Sequence, residues 1–138
     1  MITDLHIHTK FSCDSEAEPE EYIKHAISKN IKAICFTDHV DLNPDDYGCN
    51  YYNPDNYFDM FNIIKEKYQN QINVYSGFEF GEPHLYADRL KALSTYPYDY
   101  IIGSIHWIGN MFPCQKVREQ YSAKEFYMNP SGQAEIML

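Results

Sequence analysis

The sequence predicts a parallel α/β fold, in which short buried strands alternate with helices. Four apolar segments, near positions 4–9, 32–37, 73–80 and 98–106, have the length and composition of buried strands. Each contains or precedes a side chain able to bind a metal or a substrate, as expected for the carboxyl ends of strands in parallel α/β folds. At 138 residues and 44% hydrophobic content, the chain is long enough for one compact core and short for two domains.

The first strand carries two histidines in alternate positions. Strand alternation puts Asp4, His6 and His8 on one face and Leu5 and Ile7 on the other, where we expect them to pack. Two imidazoles placed in this way converge on a divalent metal without distortion of the backbone. An isolated pair of this kind is also common on protein surfaces, and the later segments favour the metal-binding interpretation.

The loop that follows His8 is rich in turn-forming residues and leads into a helix. Asp14 in this loop is either a metal ligand or a turn cap, and the sequence leaves both roles open. The helix is expected to begin near Pro19, which suits a first turn, and to end near Asn30.

The second strand, about residues 32–37, is apolar enough to be buried on both faces. Its alternation places Cys35, Thr37 and His39 together, which makes His39 a candidate ligand. Asp38 either orients a neighbouring imidazole or caps a turn.

A polar loop rich in tyrosine separates this strand from the next helix. Loops as long as residues 40–53 are typically functional lids or disordered segments. Tyr47, Tyr51 and Tyr52 either line a substrate entrance or pack against the loop itself. Asn53 is then a suitable helix cap, followed by Pro54 in the first turn.

The third and fourth strands supply two further candidate residues, Glu79 and His106. A glutamate at the end of a buried strand needs a partner, because an unpaired carboxylate is costly there. A metal is such a partner, and a carboxylate can bridge two cations, so Glu79 is our candidate for a central bridging ligand. His106 lies on the ligand side of the fourth strand, residues 98–106, which a turn and a helix join to Glu79.

Composition excludes several classes of function. A formal charge of −9, with eleven Lys and Arg against twenty acidic residues, does not provide the basic face that nucleic acids require. We find no signal segment and no apolar run near the roughly 18 residues of a membrane span, so we expect a cytoplasmic protein without a membrane partner. The four cysteines form no CxxC pair and are expected to be reduced thiols.

Five motifs together resemble the PHP (polymerase and histidinol phosphatase) family, and within it the monofunctional histidinol-phosphate phosphatases. They are DLHIHT, FSCDS, FTDH, GFEFGEPH and GSIHW, which span about residues 1–108. The DLHIHT and FTDH motifs are shared across the family, whereas GFEFGEPH and GSIHW are specific to the phosphatase branch.

The resemblance implies a distorted (β/α)7 TIM-like barrel, of which this chain would form about half, with four parallel strands and intervening helices. It also implies up to three divalent metals, zinc, manganese or iron, at the carboxyl ends of the strands. Carried over by motif, Glu79 would bridge the first metal to the second, which His106 would bind, and these two residues would be the catalytic ones. His6 and His8 would hold the first metal, and Asp14 and His39 the third.

The implied reaction is metal-dependent hydrolysis of a small phosphate ester, with L-histidinol phosphate as the natural substrate and histidine biosynthesis as the context. Alternatives are hydrolysis of a phosphodiester on the same scaffold, or a catalytically silent metal-binding or assembly module. A substrate panel and metal analysis would separate these three functions.

The chain departs from the family pattern in its extent. Family members continue for about as long again, and that later half supplies another metal-binding histidine, an Asp-x-His pair and basic phosphate-binding residues. We therefore expect a single PHP domain over residues 1–138, truncated at its carboxyl end, with a barrel-like part (1–108) and a tail (109–138). The alternatives to truncation are pairing with a copy of itself or with a complementing carboxyl-terminal half, and an inactive remnant.

Overall fold

The computed structural model describes residues 2–107, so the predicted tail, 109–138, lies outside the described residues. The chain divides into two compact units, Met1–Ser104 and Ile105–Leu138. All regular elements described here belong to the first unit and alternate between strand and helix. They are β1 (Thr3–Ile7), α1 (Pro19–Ser28), β2 (Ala33–Val40), α2 (Pro54–Tyr68), β3 (Asn73–Gly81), α3 (Ala87–Leu93) and β4 (Tyr100–Ser104).

The four strands form one parallel sheet in the order β1-β2-β3-β4. Strands β2 and β3 pair without interruption from Ala33 opposite Asn73 to Val40 opposite Phe80. The carboxyl ends of all four strands therefore lie along one edge of the sheet. This arrangement confirms the prediction of four parallel strands with intervening helices.

Local sequence signals explain where the helices begin and end. Pro19 opens α1, and Asn30 with φ 60° lies just beyond the end of this helix. The Asn53 side chain caps α2 by accepting a hydrogen bond from the backbone N–H of Asn56 at 3.0 Å. Helix α3 begins at Ala87, and Leu85 precedes it and is exposed.

The main core lies where α1 and α2 contact the sheet, and Tyr57 is its largest fully buried side chain. The Tyr57 hydroxyl donates to the Phe36 carbonyl at 3.3 Å and accepts from the Gly77 backbone N–H at 3.2 Å. A Cβ atom at Gly77 would lie 2.7 Å from the carbonyl oxygen of Tyr100 on β4. This position therefore requires glycine for the close approach of β3 and β4.

Strand β1 differs from the regular alternation that the sequence predicts. Asp4 pairs with Ile34 and Ile7 with Phe36, so β1 carries one residue more than β2 between these pairs. Such a bulge re-aims side chains near a strand end. Leu5, expected to be packed, is 42% exposed because β1 lies at the edge of the described sheet.

Two further strand boundaries differ from expectation. Strand β2 continues to Val40, so Asp38 and His39 lie within it, while β4 ends at Ser104, two residues before His106.

Cys13, Cys35 and Cys49 are free thiols. Among the described residues, no helix combines the length and the apolar character that crossing a bilayer requires.

Candidate metal centre

Five of the six residues singled out as metal ligands lie together at the carboxyl edge of the sheet. His6 belongs to β1 and His8 follows this strand directly. His39 near the end of β2 is paired in register with Glu79 near the end of β3. Asp14 reaches the same region from the loop between β1 and α1, where it contacts His8 and His39.

His6, His8 and Glu79 form a first trio, in which one carboxylate oxygen faces two imidazoles. Glu79 Oε2 lies 3.1 Å from His6 Nε2 and 3.1 Å from His8 Nε2, and the two Nε2 atoms are 3.0 Å apart. Three potential ligand atoms thus converge within 4.8 Å of one another. Two nitrogens and one oxygen are the donor set that zinc and similar divalent metals accept.

His8, Asp14 and His39 form a second trio that shares His8 with the first. His8 Nδ1 lies 3.0 Å from Asp14 Oδ2, while His39 Nε2 lies 3.5 Å from the same oxygen. The two nitrogens of His8 therefore face opposite trios, Nε2 towards Glu79 and Nδ1 towards Asp14. His8 thus contacts one carboxylate of each trio.

Burial and charge within the cluster favour a bound cation. Burial by itself would lower the pKa of His8, but its hydrogen bonds with Glu79 and Asp14 outweigh this effect and raise the pKa to about 9. Burial also opposes ionisation of Asp14, yet hydrogen bonds from Ser12 and His8 lower its pKa below the ordinary value. Two carboxylates at the cluster, one of them on the 6% exposed Glu79, thus attract positive charge.

Hydrogen bonds behind the cluster hold the loop that follows β1 against β2. Asp38, which is fully buried, accepts from the Thr9 backbone N–H at 2.5 Å and from the Thr9 hydroxyl at 3.1 Å. Burial raises the pKa of Asp38 to about 6, although both hydrogen bonds act in the opposite direction. Asp38 thus bonds to Thr9, the loop residue that follows His8. Of the two roles left open for Asp38, these contacts fit a cap of the turn.

Two buried carboxylates near the cluster were not among the predicted site residues. Asp41 is 4% exposed and its Oδ2 lies 3.4 Å from His39 Nδ1, while Glu82 is 1% exposed and has φ 49°. Both directly follow strands that carry a candidate ligand, and this position was the signal that could have identified them.

The sixth candidate, His106, lies in the second unit, Ile105–Leu138, and is half-buried. Its role as a ligand stays a prediction. Tyr47, Tyr51 and Tyr52 have different environments. Tyr52 is partly buried and packs against the core with its hydroxyl 2.9 Å from that of Tyr98, whereas Tyr47 and Tyr51 are exposed.

Comparison with known proteins adds the family context. The family model described as PHP domain matches residues 4–136. The histidinol-phosphatase of Lactococcus lactis subsp. lactis is 29% identical over 126 residues, which cover 91% of this chain and 44% of that protein. A probable histidinol-phosphatase of Clostridium acetobutylicum is 33% identical over 126 residues, covering 91% of this chain and 47% of that protein.

A solved structure shares the fold. It is the crystal structure of histidinol phosphate phosphatase from Lactococcus lactis in complex with zinc, L-histidinol and phosphate, with a TM-score of 0.73 and 28% identity. The match covers 80% of this chain and 42% of that structure, so the present fold corresponds to about half of a TIM-like barrel. The chain spans less than half the length of the relatives that it matches.

Proposed function

The chain belongs to the PHP domain family, and from this premise we propose that it serves the metal-dependent hydrolysis of a phosphate monoester. The observation that carries the proposal is that one carboxylate oxygen of Glu79 lies 3.1 Å from the Nε2 atoms of both His6 and His8. L-Histidinol phosphate is the proposed substrate, since two relatives are named as histidinol-phosphatases or probable ones and the solved neighbour holds L-histidinol and phosphate.

The donor set fits a divalent metal cluster. His6, His8 and Glu79 would hold a first metal, and Asp14 with His39 would hold a third. The bridging role of Glu79 and the role of His106 as a ligand of a second metal stay predictions from the family resemblance. Zinc is the proposed metal because the solved neighbour contains it, and manganese and iron suit the same ligands. When bound, such ions supply an activated water and neutralise charge on the phosphoryl group.

The protein's own side chains then have separate tasks. The exposed side of His6 leaves the cluster open to a substrate from solvent, since its side chain is 51% exposed. Glu79, almost completely buried, holds its carboxylate in place through contacts with both imidazoles. With Asp14 engaged by Ser12 and His8, the cluster's geometry is established before substrate binds.

The test is phosphate release from L-histidinol phosphate by protein loaded with zinc or manganese. We expect Glu79→Gln to lower the rate by at least about 100-fold, because loss of a group that merely supports a ligand already costs 10- to 100-fold. Glu21→Gln, at an exposed position on α1, is the matched control and should retain wild-type activity. Equal rates for wild type and Glu79→Gln would contradict the proposal.

A catalytically silent metal-binding or assembly module is the second candidate, favoured by the exposed edge strand β1 and by the coverage of less than half of the relatives. In that case the remaining strands would come from a complementing half or from self-association. Stoichiometric zinc binding without phosphate release, together with a native mass above that of one chain, would favour this candidate. Faster cleavage of a phosphodiester than of L-histidinol phosphate would instead favour a phosphodiesterase.

A further inference from the structure

The loop after β2 folds back onto the end of that strand. Asp41 and Cys49 form an isolated parallel bridge, and the Asn50 backbone N–H donates to the Asp41 carbonyl at 2.9 Å. Asn50 has φ 59°, which reverses the chain at this point. The segment from 42 to 48 is therefore a closed loop that begins and ends beside the candidate metal centre.

The tip of this loop packs against Cys13, the residue that precedes Asp14. A Cβ atom at Gly48 would lie 2.5 Å from Cys13 Sγ, so a side chain at Gly48 would force the two segments apart. The Gly48 backbone N–H also donates to Asp46 Oδ1 at 2.7 Å, which fixes the turn. Close packing at Gly48 thus positions its neighbour, Tyr47, at the rim of the cluster.

The hydroxyl of Tyr47 lies beside Cys13, whereas its ring is exposed to solvent. Cys13 is the residue next to Asp14, and its thiol interacts electrostatically with the hydroxyl. The side chain is nevertheless 72% exposed, the largest fraction among the exposed large hydrophobic residues described, and its ring contacts no other ring in the described part of the chain. Tyr52 on the same loop shows the opposite, with its ring packed and its hydroxyl paired to Tyr98.

We propose that Tyr47 is a specificity-determining residue whose ring packs against the flat, cationic organic part of the substrate while the phosphate occupies the histidine–carboxylate cluster. This inference rests on the proposed function. Aromatic faces attract both flat rings and cations, and L-histidinol carries an imidazole and an ammonium group. Asp45, which is exposed, lies two residues before Tyr47, so its charge also favours a cationic ligand.

The experiment measures calorimetric binding of two probes, L-histidinol and inorganic phosphate, to the zinc-loaded protein. We expect Tyr47→Ala to weaken L-histidinol binding by about three- to tenfold, the range of one ring stack or cation–π contact, with phosphate binding unchanged. Tyr47→Phe keeps the ring and loses only the contact with Cys13, so it should bind both probes like wild type. Tyr75→Ala, which removes an exposed ring four residues before Glu79, is the matched control and should also resemble wild type.

Two outcomes would overturn the inference while leaving the proposed function in place. They are wild-type binding of L-histidinol by Tyr47→Ala, and a loss for Tyr47→Phe as large as for Tyr47→Ala. A wild-type protein that binds phosphate but not L-histidinol would overturn the inference together with the proposed substrate. Failure of the wild-type, zinc-loaded protein to bind either probe would instead overturn the proposed function, and this inference with it. Circular dichroism of each variant shows whether the fold is retained.

Discussion

Ser12 is the residue that joins the loop after β1 to the end of β2. Its hydroxyl is fully buried, donates to Asp14 Oδ1 at 2.6 Å and accepts from the His39 backbone N–H at 3.0 Å. One side chain thus connects two candidate ligands that are far apart in sequence. This hydroxyl therefore helps to position Asp14 and His39 in the second trio.

Ser12→Ala should therefore affect both stability and metal affinity. It would leave the buried His39 N–H without its acceptor, at a cost of about 1–3 kcal/mol in the free energy of unfolding. Because Asp14 also loses a partner that orients it, we expect zinc affinity to fall about 10- to 100-fold. Urea unfolding and zinc titration measure the two effects.

The control for this variant is Ser28→Ala. The Ser28 hydroxyl donates to the His25 carbonyl at the exposed end of α1, away from the cluster. It should change zinc affinity little. If Ser12→Ala and Ser28→Ala behave alike in both measurements, Ser12 has no positioning role.

At the scale of elements, Glu20 links the two helices that cover the core. Its Oε1 accepts hydrogen bonds from Lys24 at 2.9 Å, Lys67 at 2.9 Å and the Tyr68 hydroxyl at 2.8 Å. The Lys67, Lys24 and Tyr68 contacts lower the pKa of Glu20 to about 2. Glu20 on α1 is therefore held ionised by partners on α2 as well as on its own helix.

The sign of the pH effect follows from this lowered pKa. A carboxyl whose pKa is lower in the folded than in the unfolded state stabilises the fold fully above about pH 4.5, and this contribution is lost as pH falls towards 2. We expect Glu20→Gln to lower the urea midpoint slightly at pH 7, by less at pH 3, and by less in 1 M salt, because these groups are exposed and screened.

Glu66→Gln provides the comparison for Glu20→Gln. Glu66 lies on the exposed side of α2, and its carboxylate takes no part in the contacts that Glu20 makes. The effect of Glu20→Gln on the urea midpoint could prove to be the same at pH 3 and pH 7, or equal to the effect of Glu66→Gln. Either result would argue against a link between α1 and α2 through Glu20.

Helix boundaries could be predicted from the sequence, whereas contacts between distant segments could not. The boundaries at Pro19 and Asn53 depend on local capping chemistry, which a few neighbouring residues specify, and both were predicted correctly. The bulge in β1 depends on its pairing with β2, and the hydrogen bond between Ser12 and His39 joins residues 27 positions apart. Neither leaves a local signal in the sequence.

Some residues of the candidate site could likewise be predicted from the sequence, and others could not. Parallel pairing was enough to predict that His39 and Glu79 lie at the same edge of the sheet, whereas their exact register opposite one another is seen only in the structure. Asp41 and Glu82 were missed although their positions directly after β2 and β3 were a signal, and their burial, which comes from packing around the strand ends, left none. The assignment of metals to individual residues stays a prediction.

At the scale of the whole molecule, the described sheet has two edge strands, β1 and β4. Apolar side chains are exposed on both, with Ile2 and Leu5 at or beside β1 and Tyr100 and Ile101 on β4. A TIM-like barrel has no such edges, because its strands close on themselves. The described sheet is thus open at both edges, and the chain spans less than half the length of the relatives that it matches.

Metal binding should be coupled to folding of the four-stranded unit. The first trio joins His6 of β1 to Glu79 of β3, which are 73 residues apart in sequence, so the unfolded chain has no comparable site. A ligand that binds only the folded state at 100 times its Kd adds about 2.7 kcal/mol to the free energy of unfolding. For a domain of this size, that corresponds to an increase in Tm of about 10 °C.

We therefore expect zinc to raise the Tm measured by circular dichroism and a chelator to reverse the increase. His8→Ala removes the side chain shared by the two trios and should abolish most of this increase, whereas His25→Ala, at an exposed position of α1, should retain it. An equal increase in Tm for both variants would mean that zinc binds elsewhere. A wild-type Tm that does not respond to zinc would show that these side chains converge without forming a metal site, because any binding confined to the folded state must stabilise it.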